Sequence, residues 1–319
     1  MADAGCAGIL VADTFCGPMA ALPDAGQLMA LAAMPSKPGG CAANVAIDLA
    51  KQGASVDVAG CVGDDAAAQL VLAGLKAHGV CCEGVVVTEH HPTSTTVILL
   101  VEGQDRRYLH VFGANRAFTA VQVDRQWISG LKVFYLGGLF AMPALEAAPL
   151  ADLLGHCRRS GVTTVVDVVL PADANVVQAR DDLAQLLPLI DYFVPNQDEA
   201  RLLTGQVEAR DQAAVLRTGG AGAVVITRGA GGAYAARGSQ CWSCPTFATQ
   251  VVDPSGSGDA FAAGLITGIL RGWDMDQTLR YGAALGASAT RAVGTTDGVF
   301  TAAEAAAFLD THPLNQEHP

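Results

Sequence analysis

The stretch Asp253-Pro-Ser-Gly-Ser-Gly-Asp-Ala-Phe261 is the part of the sequence that says most about the fold. It follows a strand-like apolar segment, residues 249–252, and precedes a long apolar helix predicted over residues 258–270. A glycine-rich turn at a helix start presents free amide groups, which attract anions. Gly256 and Gly258 allow the backbone to come close to a phosphate. The stretch therefore predicts an α/β protein with an anion site.

Asp259 lies in the first turn of this predicted helix. There its carboxylate is placed to accept a proton from an alcohol that attacks a bound phosphate. An aspartate at a helix start is also a common capping residue. From the residues alone, a catalytic role and a capping role are equally open.

Short β-branched runs alternate with Ala- and Leu-rich segments along most of the 319 residues. This alternation predicts a mainly parallel sheet with helices on both faces, and ligands then collect at the carboxyl ends of the strands. The predicted strands are residues 8–12, 55–62, 132–136, 162–169, 192–195 and 223–227. The predicted helices are residues 42–52, 66–78, 147–159, 198–203, 258–270 and 276–291.

Two segments interrupt this alternation. Residues 14–38 contain several prolines and no amphipathic helix, and residues 95–112 read as a β-hairpin with its turn at residues 102–105. We expect both to form a small β lid inserted into a single domain of residues 1–319, because no linker or repeat divides the chain. The alternative is two irregular surface loops.

The composition limits the classes of function. Hydrophobic residues make up 51% of the chain, and the formal net charge is −12, from 31 acidic and 19 basic residues. This balance lacks the basic face that binds nucleic acids or anionic membranes. No signal peptide is evident, and the nine cysteines, an odd number, read as reduced thiols. We therefore expect a cytoplasmic protein without nucleic-acid or membrane partners.

A second glycine-led helix start, Gly39-Gly-Cys-Ala-Ala-Asn-Val-Ala46, carries Asn44 on its first turns. Asp13 is predicted at the end of the first strand, and Gly63-Asp64-Asp65 follows the next strand. These polar groups are predicted at neighbouring strand ends, where ligands collect. Turn and capping chemistry accounts for them equally well.

Two further motifs lie in the second half of the chain. Asn196 and Glu199 have the spacing of a capping box, and such a glutamate is also suited to hold a hydrated magnesium ion near phosphates. The run Thr227-Arg-Gly-Ala-Gly-Gly232 follows a predicted strand and, taken alone, is a β-turn.

Other phosphate-binding and catalytic motifs are missing from the sequence. There is no Gly-Lys dipeptide, which excludes a Walker-type loop. Phe261 occupies the place of the third glycine or alanine in a dinucleotide fingerprint, which argues against a nicotinamide-dependent oxidoreductase. Neither the H-E-x-x-H motif of metalloproteases nor the H-R-D motif of protein kinases occurs.

Taken together, the motifs resemble the ribokinase-like (PfkB) carbohydrate kinase family over roughly residues 7 to 311. The family has, in this order, a Gly-Gly…Asn helix start, an Asn-x-x-Glu, a Thr/Lys-x-Gly-x-x-Gly turn and a late Asp-Thr-Thr-Gly-Ala-Gly-Asp. The chain matches them at Gly39, Gly40 and Asn44, at Asn196 and Glu199, at Thr227, Gly229 and Gly232, and at residues 253–259. The resemblance implies a ribokinase-like fold and ATP-dependent phosphoryl transfer to a hydroxyl of a small sugar or sugar-like alcohol.

The resemblance also implies a role for each matching residue. Asp259 would be the base, and the anion hole would consist of Gly256, Ser257 and Gly258. The residues expected to bind the acceptor are Asp13, Gly39, Gly40, Asn44 and Asn115, the last within a lid-closing Gly-Ala-Asn stretch. The residues expected to bind ATP are Asn196, Glu199, Thr227, Arg228, Gly229, Gly232 and Ala283, with Mg2+ held through water by Glu199. A monovalent cation, K+, would bind Asp253, Ser255 and carbonyl groups near residues 289–294, and a homodimer stays open.

The chain departs from the family pattern at three places. Pro254 and Ser255 replace two threonines, and Ser257 replaces the alanine of the anion hole. No carboxylate follows residues 135–138 to match the one that ribokinases use on their sugar. A nucleoside kinase is the main alternative, because Phe15 or Phe112 of the lid would be suited to stack on a base, and a non-catalytic sugar-binding relative is a further one.

Overall fold

The computed structural model describes residues 2–313, so Met1 and residues 314–319 of the predicted domain lie outside the described part. The strands are β1 (Ala4–Gly8), β2 (Val11–Met19), β3 (Ser36–Gly39), β4 (Val56–Gly63), β5 (Cys81–Thr88), β6 (Thr95–Val101), β7 (Arg107–Val111), β8 (Val133–Leu139), β9 (Thr163–Val168), β10 (Tyr192–Val194), β11 (Ala223–Thr227), β12 (Ala233–Arg237) and β13 (Gln240–Cys244). The α-helices are α1 (Cys41–Lys51), α2 (Ala66–Ala77), α3 (Arg125–Ser129), α4 (Ala147–Arg159), α5 (Val176–Leu186), α6 (Gln197–Thr204), α7 (Ala209–Thr218), α8 (Ser257–Arg271), α9 (Met275–Ala289) and α10 (Ala302–Thr311).

Nine strands form the central sheet, in the order β13-β12-β11-β10-β9-β8-β1-β4-β5. All neighbours are parallel except the pairs β11–β12 and β12–β13. Side chains of β8 alternate between two cores, because successive residues of a strand point to opposite faces. Phe134 and Leu136 pack with α4 to α7, whereas Val133 and Tyr135 pack with α1, α2, α8 and α9. The predicted mainly parallel α/β architecture is confirmed.

A smaller sheet of four strands has the order β3-β2-β6-β7. Its strands come from the two segments that interrupt the alternation, and β6 and β7 pair as the predicted hairpin. Phe15, Ile98 and Leu100 form a small core within it. Both segments therefore contribute β-strands, as predicted.

The predicted first strand, residues 8–12, is wrong. Gly8 ends β1 with φ 139°, and a Cβ there would overlap the carbonyl oxygen of Gly137 on the neighbouring strand. The chain leaves the central sheet after Gly8 and enters the small sheet at Val11. Asp13 consequently lies inside β2 of the small sheet and not at the end of the first strand.

The strand expected at residues 249–252 is also absent, since these residues have no sheet partner. The amide of Val252 instead donates to the carbonyl oxygen of Thr290 after α9, and the side chain of Val251 is exposed. The sequence analysis did not assign β5, α5, α7 and α10.

Residues 2–313 contain no helix with the length and hydropathy needed to cross a membrane.

Candidate active site

The glycine-rich stretch forms the turn into α8. Gly256 is the N-cap residue with φ 75°, and a Cβ there would overlap the carbonyl oxygen of Thr295. Gly258 is exposed, and a Cβ added to it would meet no atom within 4 Å. The first amides of a helix have no intrahelical acceptor, so this turn presents donors towards open space. Such an arrangement suits an anion.

Asp259 lies in the first turn of α8, and its hydrogen-bond partners are side chains of α1 and not backbone amides of α8. Its Oδ2 accepts a hydrogen bond of 2.8 Å from Nδ2 of Asn44, and the thiol of Cys41 donates to the same carboxylate. Oδ1 of Asn44 accepts a bond of 2.7 Å from Oγ1 of Thr295. The starts of α1 and α8 thus meet at this carboxylate, and burial raises its pKa above the usual range.

Three of the residues expected to bind the acceptor lie beside the start of α1: Asp13, Gly39 and Gly40. A Cβ at Gly39 would overlap the carboxylate of Asp13, so the missing side chain leaves room for that group. Burial raises the pKa of Asp13 to about 6, with the charge of Asp259 adding to the effect. Asp13 and Gly39 thus lie together beside Gly40, the N-cap residue of α1, and their binding of an acceptor stays a prediction.

Asn115 does not belong to this group. Its Oδ1 accepts from the amide of Leu10 at 3.1 Å, and its Nδ2 donates to the carbonyl oxygen of Leu10 at 3.0 Å and to Oγ of Ser94 at 2.7 Å. The side chain is buried, and its hydrogen-bonding groups are taken. Asn115 thus fixes the passage from β1 to β2, and its expected role in acceptor binding stays a prediction.

A cavity of about 380 Å³ opens beside the start of α8. Its apolar wall includes Phe247, Val251 and Phe261, of which the first two lie in a segment that the sequence analysis gave no role. The predicted residues that line it are Thr227, Gly229, Gly232, Ser257, Gly258 and Ala283. An apolar cavity with a few polar groups is typical of a nucleotide or other small-molecule site.

Asn196 and Thr227 lie side by side through a backbone bridge between their chain segments. Arg228 turns away from the cavity, and its Nη2 donates to Oγ of Ser243 at 3.2 Å. Glu199 forms the capping box of α6, in which its Oε2 accepts from the amide of Asn196 at 2.9 Å. Burial raises the pKa of Glu199 to about 7.

Asp167, at the end of β9, is a site residue that the sequence analysis missed. Oxygen atoms of Asp167 and Asp259 and Sγ of Cys41 all lie within 4.8 Å of one another. Burial, followed by the charges of Glu199 and Asp259, raises the pKa of Asp167 well above its usual range. The available signal was an aspartate that ends a β-branched run, as at other strand ends. The carboxylate of Glu199 is the kind of oxygen ligand that hydrated Mg2+ prefers.

The expected monovalent-cation residues lie together below the anion turn. Asp253 is buried, and its two oxygens accept from the amides of Ser255 at 2.9 Å and Gly294 at 3.0 Å. Oγ of Ser255 is buried without a hydrogen-bond partner, which fits an oxygen ligand for a cation. One nearby carbonyl, that of Val293, already accepts from Nζ of Lys37 at 2.8 Å.

Comparisons with known proteins agree with this fold. The family model of the pfkB family carbohydrate kinases matches residues 8–302. The chain is 27% identical to the ribokinase of Bacillus subtilis over 266 residues, which cover 81% of this chain and 83% of that protein. It is 30% identical to the 2-dehydro-3-deoxygluconokinase of the same organism over 283 residues, with 85% and 86% covered.

A similar solved structure is that of an Arabidopsis thaliana ribokinase complexed with ribose and ATP. The TM-score is 0.81 at 22% identity, and the match covers 97% of this chain and 98% of that one. This likeness confirms the ribokinase-like fold, and the family match confirms both the resemblance found in the sequence and the class of enzyme. The chain belongs to the pfkB family of carbohydrate kinases.

Proposed function

We propose that this kinase transfers the γ-phosphoryl group of ATP to a hydroxyl of a small sugar or sugar-like alcohol, with Asp259 as the base. The observation that carries the proposal is the position of Asp259. Its carboxylate caps no helix, is held by Asn44, and lies next to the amides around the exposed Gly258. A proton acceptor beside an anion hole is what phosphoryl transfer to an alcohol requires.

The cavity beside α8 is the proposed nucleotide site. Its apolar wall suits the base of ATP, and the turn of residues 227–232 would face the phosphates, which the amides of Ser257 and Gly258 would receive. Asn196 and Glu199 follow β10, the strand next to β11, from which that turn leaves. Bound Mg2+ would neutralise charge on the phosphates, and Glu199 would hold its water shell.

Different residues of the chain would have different roles in the phosphoryl transfer. Donors at the start of α8 would hold the γ-phosphoryl oxygens, while Asp259 accepts the proton of the attacking hydroxyl. Burial raises the pKa of Asp259 towards the operating pH, which makes it a better base than an exposed aspartate. The hydrogen bond from Asn44 would keep the carboxylate pointed at the acceptor.

We propose that the small four-stranded sheet is the lid of a single kinase domain. It contributes Asp13 to the acceptor side, and its closure would exclude water, which competes with the sugar as phosphoryl acceptor. The sequence left a homodimer open, and strand β7 exposes two apolar side chains, Leu109 and Val111. Light scattering would test whether the protein forms this homodimer.

The aromatic residues of the lid support a sugar over a nucleoside. Phe15 is 0% exposed in the core of the small sheet, so its ring has no face for a base. Phe112 packs edge-on against His110, with ring centroids 4.7 Å apart. Tyr108 remains exposed, and it is the residue on which a nucleoside kinase would depend.

The test is ATP consumption with ribose, fructose, 2-keto-3-deoxygluconate, adenosine and inosine as acceptors. We expect ADP and a phosphorylated sugar in stoichiometric amounts, with the Asp259→Asn variant as the inactive control. A clear preference for adenosine or inosine would replace the acceptor class and leave the kinase assignment in place. ATP turnover that no acceptor stimulates would contradict the proposal.

A further inference from the structure

The acceptor side of the site lacks a carboxylate on β8, which ends in Gly-Gly-Leu at residues 137–139. The neighbouring parallel strand, β9, supplies one instead. Asp167 precedes the last residue of β9, and parallel strands end at the same edge of the sheet. An oxygen of Asp167 therefore reaches within 4.8 Å of both Asp259 and the thiol of Cys41.

The carboxyl group of Asp167 accepts hydrogen bonds from the backbone of Val168 and from the side chain of Tyr135. The hydroxyl of Tyr135 donates to its Oδ2 at 3.2 Å, and Tyr135 itself is fully buried. Gly137 keeps this corner compact, because a Cβ there would lie 2.8 Å from Cβ of Cys41 and 2.9 Å from Oη of Tyr135. Asp167 is only partly buried. A carboxylate can accept about four hydrogen bonds, so with these two donors the group retains hydrogen-bonding capacity towards the cleft.

The cluster of Asp167, Asp259 and Cys41 is poorly suited to a metal ion. One of its three atoms is the sulfur of Cys41, whose thiol donates a hydrogen bond to Asp259. Mg2+ takes oxygen ligands, so two carboxylates with one sulfur do not suit it. Hydroxyl groups suit the cluster better, since each both donates and accepts hydrogen bonds.

The spacing suits a polyol. A hydroxyl bound to a carboxylate lies about 2.7 Å from its oxygen. With the oxygens of Asp259 and Asp167 no more than 4.8 Å apart, a sugar that places one hydroxyl on Asp259 brings a second within reach of Asp167. We infer that Asp167 binds a second hydroxyl of the acceptor and so determines specificity, in the role that no residue of β8 fills. This inference rests on the proposed function.

The test compares each acceptor with analogues that lack one hydroxyl. The probes are ribose, fructose and adenosine with their singly deoxygenated analogues, assayed on the wild type and on Asp167→Ala. Asp167→Asn keeps hydrogen-bonding groups in place. Asp173→Asn is the matched control, because Asp173 is an exposed aspartate in the loop that follows β9.

In Asp167→Ala we expect kcat/KM for the preferred acceptor to fall at least about 10-fold, mainly through KM, with KM for ATP unchanged. Against one deoxy analogue, the wild type should discriminate and Asp167→Ala should not. Asp167→Asn should lie between the two, and Asp173→Asn should match the wild type.

Two results would overturn the inference. One is an Asp167→Ala variant that loses the same factor with the parent sugar and with every deoxy analogue. The other is a higher Mg2+ requirement with an unchanged KM for the acceptor, which would assign Asp167 to the metal. If neither these probes nor 2-keto-3-deoxygluconate or inosine is phosphorylated by the wild type, both the proposed function and this inference fail. Normal wild-type turnover with unchanged discrimination in Asp167→Ala removes this inference alone.

Discussion

Replacing Gly258 by alanine should separate catalysis from stability. The glycine is exposed, and the added methyl group would meet no protein atom within 4 Å. Its φ lies outside the left-handed region, so alanine is compatible with the backbone. Under these conditions Gly→Ala stabilises a protein by about 0.4–1 kcal/mol, because the unfolded chain has fewer conformations. At about 2–4 °C per kcal/mol, the melting temperature should rise by roughly 1–4 °C.

The same methyl group should impair turnover. It would occupy the space in front of the first amides of α8, where the proposed function places the γ-phosphoryl group. A loss of transition-state contact of about 1.4 kcal/mol corresponds to a tenfold lower kcat, and we expect at least that loss. Steady-state kinetics at saturating acceptor, together with calorimetry on the same sample, measures both effects.

Gly256→Ala is the matched control for this experiment. Gly256 has φ 75°, a conformation that costs an L-residue about 1–2 kcal/mol, and the methyl group would also overlap the carbonyl of Thr295. This variant should therefore unfold at a lower temperature than the wild type. A Gly258→Ala enzyme with normal kcat, or one that is destabilised like Gly256→Ala, would refute the reasoning about the anion hole.

Three further predictions concern charged groups. Asp259→Asn should lower kcat by a factor of about 10² or more with KM for ATP unchanged, and near-normal kcat would remove Asp259 from the mechanism. Asp48 has two buried carboxylate oxygens without partners, and burial raises its pKa well above the usual value of 3.8. The folded protein thus holds this proton more tightly than the unfolded chain, so stability should fall as pH rises above about 4 towards the raised pKa. Asp48→Asn should flatten that loss and melt higher at pH 8 than the wild type, and equal pH profiles would contradict this account. Because Asp253 and Ser255 fit a cation, KCl should support higher activity than NaCl or choline chloride at equal ionic strength, and equal rates would count against the site.

The sequence predicted the parts of the site that depend on local backbone geometry. A glycine-rich turn into a helix is encoded within a few residues, and both helix starts, at Cys41 and Ser257, lie where the glycines indicated. The sequence left the role of Asp259 open between a helix cap and a catalytic base, because capping depends on atoms that only the folded turn brings together. In the structure the carboxylate bonds to Asn44, 215 residues away in the chain, which argues against the cap, and the catalytic role stays a proposal.

The errors have a common physical origin in long-range contacts. Gly8 ends a strand because Gly137 lies against it, and nothing near Gly8 in the sequence encodes that neighbour. Asn115 matched a family stretch, and its bonds to Leu10, 105 residues away, were not evident from that match. Asp167 escaped notice because its proximity to Asp259 follows from the strand order and not from any local motif.

The loop that follows α9 ties three parts of the molecule together. Lys37 of β3 donates to the carbonyl of Val293 and forms an ion pair of 2.8 Å with Asp297. The side chain of Lys37 is 26% exposed, and that of Asp297 is 42% exposed. Between Val293 and Asp297, Thr295 bonds to Asn44 and its carbonyl lies against Gly256. The small sheet cannot swing away without straining or breaking the Lys37 contacts. Salt weakens partly exposed ion pairs, so opening of the proposed lid should become faster as ionic strength increases.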